Sequence, residues 1–528
     1  MVKESGKDLI LVIDQGTTGT HAALIDSNSS IVSYAYRKHE QVIPRPGWVE
    51  YDPTEIWWNV KAVMAKVIKA SGIDPARIAA IGVANQRETV VAWDPRSGRP
   101  LYNAIAWRCR RSTKLAERLR EEHAALIRSK TGLIPDPYFT GTKIWWLLKN
   151  VEGLRERAAR GEAFFGTIDS WIVWNLTRGG RDVATPWAGG AFVTDYSNAS
   201  RTMLFNIYRL DWDPELLEVQ GGIPQNALPV PMPSSTVYGY VGPHVSQALL
   251  DGAEVPVCAI IGDQQAALFG HAAFEVGDIK ATYGTGNFVL VNTGDKPVES
   301  RSGLLTTIYY SLERNKVTYA LEGSIFVAGA VLKWLKEVVR IVEDEEEATR
   351  LAMSVNSNEG VYFVPAFTGL GAPYWDMHAR GVLIGMTDGT GKAHIARAAL
   401  ESIAYMTADV VNAMSADLGL RFRELRVDGK VASNDWLMQF QADILGIRVV
   451  VPKVLKVATL GAAFLAGLTI GFWRSLSEVK RLWKPSKVFE PRINEEERLK
   501  LIRGWRAAVT RARGWAKEIS WAYPSGEV

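Results

Sequence analysis

Leu9–Ile13 is a run of five apolar residues that ends in an acid, Asp14, and a second apolar run starts at Ala22 after a segment of glycines and threonines. Short apolar runs bounded by turn formers predict buried strands, here a hairpin bent at Gly16-Thr17-Thr18-Gly19. A helix follows from Pro53, and IAAIGVANQRE from Ile78 predicts a strand that runs out into polar side chains. The second half opens after a proline-rich and then glycine-punctuated stretch, residues 223–252, with VPVCAIIGDQQAALFG, another apolar strand ending in an acid, Asp263. A hairpin comes next here too, KATYGTGNFVLVNTG, with Gly284-Thr285-Gly286 at its bend. Alternating strands and helices predict an α/β chain. The recurrence of strand, acid and Gly-Thr turn reads as an internal duplication that sets two turns facing across an interdomain cleft. The expected division is residues 1–253 and 254–528.

VATLGAAFLAGLTIGFW, residues 457–473, is the most membrane-like stretch. It is short for a span and rich in small residues, so it reads as a buried helix whose Gly461, Gly467 and Gly471 let neighbouring backbones approach. EDEEEATR, residues 343–350, reads as a solvated helix face, and the basic segment from Arg498 as a helix docked through Trp505 and Trp515. GGRDVATPWAGG, residues 179–190, has the composition of an exposed loop.

Composition narrows the partners. A chain of 528 residues, 47% hydrophobic, exceeds one core and predicts at least two domains. Its 61 basic and 57 acidic residues leave a net charge of +4 with no basic stripe outside the last helix, which excludes a nucleic-acid reader. Two distant cysteines, Cys109 and Cys258, fit neither a zinc site nor a disulfide scaffold and place the chain in a reducing compartment, the cytoplasm. The apolar run at Leu9 is too short for a secretory signal.

Common nucleotide motifs fail. GMTDGTGKA has the wrong glycine spacing for a P-loop and puts Ala393 where a magnesium-binding hydroxyl is required, and no Gly-x-Gly-x-x-Gly turn follows a strand. DQGTTGT and YGTGN remain. Each is a tight turn whose backbone N–H groups and threonine hydroxyls make a concave donor surface for phosphate oxygens. Asp14 beside the first is placed to hold Mg²⁺ through water.

DQGTT, GWVEYDPTEIW, YNAIAWRCRR, DPYFTGTK, DYSNASRTMLFNI, GDQQAALFG, ATYGTGNF, YALEGSIFVAGA and VPAFTGLGAPYWD together resemble the glycerol kinases among the FGGY carbohydrate kinases. The resemblance runs from about Leu9 to about Trp515. It implies two actin-like (ribonuclease-H-like) α/β domains, with mixed sheets flanked by helices and the active site in the cleft between them. It also implies ATP and Mg²⁺ as cofactors, glycerol as substrate, a homodimer or homotetramer, and neither nucleic-acid nor membrane partners. By the same resemblance Arg87, Glu88, Tyr138 and Asp263 hold the polyol, Trp107 and Phe288 cover its hydrocarbon face, and Gln264 adds a contact. A charged pair suits hydroxyls that both donate and accept. Asp263 is then the general base, and Asp14 the residue toward the metal. Thr17, Thr18, Gly19 and His21 are expected on the transferred phosphoryl group, and Thr285, Gly329, Lys333, Lys430 and Asn434 on the nucleotide.

Three positions depart from the family pattern. Gly19-Thr20-His21 replaces a segment ending in arginine, VDGKV carries Lys430 at a familiar glycine, and Lys333 stands where a glutamine is common. An imidazole is largely neutral at pH 7 where the guanidinium is permanently charged. The expectation is that Lys430 or Lys333 takes over the lost contact. The alternatives are a kinase for another polyol or a ketose, which would change the set around Arg87, and a non-catalytic polyol sensor, which the intact Asp14 and Asp263 oppose.

Overall fold

Two mixed sheets carry the fold, and they share a five-strand core of one topology. The computed structural model describes residues 6–519 except 182, 184, 185 and 188, so part of the loop expected at 179–190 lies outside the described residues. The first sheet consists of β1 (Leu9–Gln15), β2 (Gly19–Asp26), β3 (Ile31–Lys38), β4 (Ile78–Asn85), β5 (Ser235–Tyr240) and β6 (Pro256–Gly262). Their order in space is β5-β6-β4-β1-β2-β3. β1, β2 and β3 are antiparallel neighbours, and β4 and β6 add to β1 in parallel. Every residue of β4 and β6 is buried, which is why both read as unbroken apolar runs. One cover is the helix α1 (Pro53–Ser71), capped by Asp52, which accepts from the Thr54 N–H at 2.7 Å.

The second sheet holds β7 (Ile279–Tyr283), β8 (Asn287–Gly294), β9 (Leu305–Glu313), β10 (Lys316–Ile325), β11 (Glu424–Asp428), β12 (Arg448–Pro452) and β13 (Pro485–Phe489), in the order β9-β10-β8-β7-β11-β12-β13. Its β7, β8 and β10 repeat the antiparallel meander of β1–β3, and β11 and β12 repeat the parallel addition of β4 and β6. The sheets are thus duplicated in topology, but not in the way the sequence suggested: the counterpart of β1 is β7, whereas the strand ending in Asp263, read as that counterpart, is β6 of the first sheet.

Two helices pack closely together on the first sheet, α2 (Asp263–Gly270) and α3 (Val457–Ile470), and α2 also touches β7 and β8 of the second. A Cβ at Gly461 would overlap the carbonyl oxygen of Ala266, and one at Gly270 the carbonyl of Val457, so the glycines set the closeness of these backbones. The other two expected glycines differ. Gly467 makes room for the Trp473 ring, and Gly471 ends α3 in the left-handed conformation with open space around it. Ile10, Val12, Leu290 and Phe464 meet in the cluster beneath these helices. No helix among the described residues is long and apolar enough to cross a membrane.

The division expected after residue 253 does not follow the sheets. β6 pairs with β4 and β5, so the strand that delivers Asp263 belongs to the first sheet. The stretch read as irregular before it contains β5 itself, which pairs antiparallel with β6 at the edge of the same sheet. Likewise α3 follows β12 in the chain but packs on β1, β4 and β6.

Candidate active site

The site lies where strand ends of the first sheet meet β8 and β10 of the second. In the β1–β2 hairpin, Gln15 faces Thr20 and the Gly16 N–H donates to the Gly19 carbonyl at 2.9 Å, leaving Thr17 and Thr18 at the tip. The Thr17 hydroxyl accepts from the Trp107 indole N–H at 3.0 Å, which ties the tip to an aromatic wall. Trp107 stands edge-on to Tyr138, 5.6 Å between ring centres, and to Phe288, 6.2 Å. These three residues, expected from the resemblance around the polyol, do converge.

Beneath the wall lies a buried ion network. The Arg87 side chain is 2% exposed; both its terminal nitrogens donate to Glu322, and its Nε lies 3.3 Å from Asp263. A Cβ at Gly262 would lie 2.7 Å from Arg87 Cδ, so the bare glycine before Asp263 lets the arginine pass. Arg201 donates to Glu88 at 2.6 Å and to Glu322 at 3.0 Å, so the two carboxylates and two guanidinium groups neutralise one another. Glu88 sits at φ 62, a left-handed backbone uncommon for a side chain of its size and of the kind concentrated at functional sites. Burial alone would raise Glu322, yet Arg201 and Arg87 hold it down at about 2. Burial raises Tyr138 as well, so its phenol stays protonated and can donate.

Asp263 opens α2 at the end of β6. Burial pushes its carboxyl up to about 6, against the pull of Arg87 and with help from the charges of Glu88 and Asp14. One oxygen accepts from the Gln264 N–H at 2.8 Å. A carboxylate poised there is mostly ionised at neutral pH and still basic enough to take a hydroxyl proton. Asp14 is partly exposed at the end of β1, and one of its oxygens accepts from Thr459 of α3 at 3.1 Å.

Gly19 and His21 turn from the hairpin tip toward β3. Gly19 is buried, and a Cβ on it would overlap the ring of Tyr36 and the carbonyl of Arg37. The His21 ring packs on Tyr36 with 4.6 Å between centres, and its Nδ1 shares a hydrogen bond with the Tyr34 hydroxyl. Burial lowers the His21 pKa, Asp14 opposes that, and Lys456 adds to it, so the ring is neutral at pH 7. The Lys456 ammonium lies 4.5 Å from the centre of the Tyr34 ring.

On the second sheet, the Gly284 N–H donates to the Gly286 carbonyl at 2.9 Å, closing a bend one residue tighter than that of the first hairpin. Gly329 is required beside it: its N–H donates to the Gly284 carbonyl at 3.0 Å, and a Cβ would lie 2.7 Å from the same oxygen. Thr285 is exposed at the tip. Lys333, Lys430 and Asn434 line one cavity of about 1300 Å³ together with Glu345, Thr349 and Trp436. Asn434 caps the following helix and donates to Thr349 at 2.8 Å. Lys430 is 2.6 Å from Glu345, and Lys333 is 3.6 Å from Glu337. The acidic run read as a solvated face thus supplies a wall of this cavity and a partner for its lysine.

Glu322, Arg201, Thr459 and Lys456 were not expected here from the sequence. YALEGSIF and DYSNASR held the first two, but only the fold brings them to Arg87.

The N-terminal domain model of the FGGY family of carbohydrate kinases matches residues 9–270, and the C-terminal domain model matches residues 279–470. Glycerol kinase 2 of Thermotoga maritima is 52% identical over 96% of this chain and 99% of its own length. The glycerol kinase of Thermococcus onnurineus is 52% identical over 97% and 99%. Among solved structures, Plasmodium falciparum glycerol kinase with ADP superposes with a TM-score of 0.86 at 38% identity, covering 96% of this chain and 98% of that one.

Proposed function

We propose, for a chain that belongs to the FGGY family of carbohydrate kinases, that it transfers the γ-phosphoryl group of ATP to glycerol, giving sn-glycerol 3-phosphate and ADP. The observation that carries this reading is the placement of Asp263 beside Arg87, below the wall of Trp107, Tyr138 and Phe288. Arg87, Glu88, Tyr138 and Gln264 orient the triol, and the rings cover its carbon face. The Asp263 carboxylate accepts the proton of a primary hydroxyl as that oxygen attacks the γ-phosphorus. The bond from phosphorus to the bridging oxygen breaks in line, and ADP departs with that electron pair.

Thr17 and Thr18 with the N–H groups of the first hairpin hold the moving phosphoryl group. Thr285 and Gly329 shape the second turn for the remaining phosphates, and the cavity of Lys333, Lys430 and Asn434 takes the nucleoside. A single partly exposed carboxylate, Asp14, fits Mg²⁺, which keeps most of its waters and binds mainly through nucleotide phosphates. When bound, that ion neutralises phosphate charge. Gly19 and His21 act on the site through the hairpin they pin to β3.

The same reading has the enzyme in the cytoplasm as a homodimer or homotetramer without membrane partners, and its nearly balanced charge supports the absence of a nucleic-acid partner. The test is ADP release with glycerol, dihydroxyacetone and xylulose as acceptors. Turnover confined to glycerol is expected, and a preference for either ketose overturns the assignment.

A further inference from the structure

Lys280 is a lysine with no exposed surface, on β7 where the second sheet meets the start of α2. Its ammonium donates to Gln264 Oε1 at 2.6 Å, Thr282 Oγ1 at 2.8 Å and the Phe288 carbonyl at 3.3 Å. All three protons are used, and no carboxylate lies within 4 Å of it among the described ion pairs. Burying an ammonium on neutral acceptors is costly, and an apolar side chain would serve packing better. Burial pulls Lys280 down to about 8, against the charges of Asp428 and Glu322.

The bonds continue past it. Thr282 donates onward to Asp428 at 3.0 Å, and Asp428 also receives His271 Nε2 at 2.9 Å. Asp428 ends β11 directly before Gly429 and Lys430. Gly429 has φ 91, and a Cβ there would overlap the Tyr283 carbonyl, so this turn is pressed against the second Gly-Thr hairpin. A line of buried and half-buried polar contacts therefore runs from Gln264, beside Asp263, to Asp428, the residue directly before the loop that walls the nucleotide cavity.

We propose that Lys280 is a positioning residue that couples the two substrate sites: through Gln264 on one side and Thr282–Asp428 on the other, nucleotide occupancy orders the polyol pocket and polyol occupancy orders the 429–434 loop. The inference rests on the glycerol and ATP reading. By linkage the effect is reciprocal, each ligand tightening the other by one factor. Spatial continuity suggests such coupling, and a cycle of variants measures it.

Glycerol affinity is to be measured by calorimetry with and without a non-hydrolysable ATP analogue and Mg²⁺, in the unaltered chain, Lys280→Met, Lys280→Arg, Thr282→Val and Thr282→Ser. The unaltered chain should bind glycerol at least fivefold tighter with the analogue. Lys280→Met should bring that ratio near one, with Lys280→Arg restoring part of it. Thr282→Val keeps both ends of the line and cuts only its middle, so it tests the coupling even where Lys280→Met fails to fold; it should lose the ratio and Thr282→Ser should keep it. An unchanged ratio in Thr282→Val, or no coupling in the unaltered chain, overturns the inference. Failure of the unaltered chain to bind glycerol at all overturns the functional reading instead.

Discussion

Arg87 and Glu322 form an ion pair that bridges the two sheets: the guanidinium follows the end of β4, the carboxylate lies in β10, and both terminal nitrogens of the arginine donate to it. Glu322 also receives Arg201, so it is the shared anion of two buried cations. Glu322→Gln removes the carboxylate both guanidinium groups share, leaving Arg87 only Asp263 and Arg201 only Glu88. A loss of about 3–5 kcal/mol is expected, the usual cost of breaking a buried pair from one side. Denaturant midpoints check it, and a weaker glycerol affinity should accompany the loss because Arg87 is no longer held toward Asp263.

Asp263 should impose a limb on the pH profile. The base must be ionised, so kcat/KM should rise with pH through about 6 and level off above it. The stability effect has the opposite sign. A folded-state value raised from the ordinary 3.8 means that ionisation costs the folded chain, so this contribution is complete below about 4 and lost as pH climbs through about 6. Asp263→Asn should therefore be no less stable than the unaltered chain at pH 7.5 while losing roughly 10²- to 10⁴-fold in turnover. Thermal melts beside the rate profile decide both.

Lysines near the nucleotide should differ in importance. Lys430 and Lys333 are exposed and face Glu345 and Glu337, so Lys430→Gly and Lys333→Gln should move the KM for ATP by no more than about threefold, as exposed pairs do. Lys456 stands beside Tyr34 and His21, near Asp14, with no carboxylate within 4 Å among the described ion pairs. Lys456→Ala should raise the KM for ATP by about tenfold at low ionic strength, and less as salt screens the charge. Titrations of ATP at two salt concentrations separate the cases.

Trp107→Phe keeps the aromatic wall but removes the donor to Thr17. The lost bond is worth about 1 kcal/mol, so kcat/KM should fall roughly five- to tenfold. A change in the KM for glycerol alone would mean that the indole acts only as a wall.

The local parts of this site were legible because each is a continuous stretch: an apolar strand ending in Asp14 or Asp263, and a Gly-Thr bend behind a hydrophobic run. Glu322 and Arg201 were not. Glu322 lies 235 positions from Arg87 and 121 from Arg201, and nothing local in YALEGSIF marks the glutamate as the anion of two distant arginines. His21 was visible as a departure, yet its meaning depends on strand register: it pairs with Tyr36 across β2 and β3, which packs the imidazole between tyrosines. The expected division after residue 253 departs from the sheets for a related reason, since the local sequence does not reveal which sheet the following strand joins.

On the proposed mechanism Asp263 takes the proton of a glycerol hydroxyl during transfer. Single-turnover transfer from radiolabelled ATP, measured in the unaltered chain and in Asp263→Asn at saturating glycerol, tests it most directly. Label should appear in glycerol 3-phosphate from the unaltered chain, with a transfer rate at least about 100-fold slower in the variant while glycerol still binds. Transfer at an undiminished rate in Asp263→Asn would contradict it.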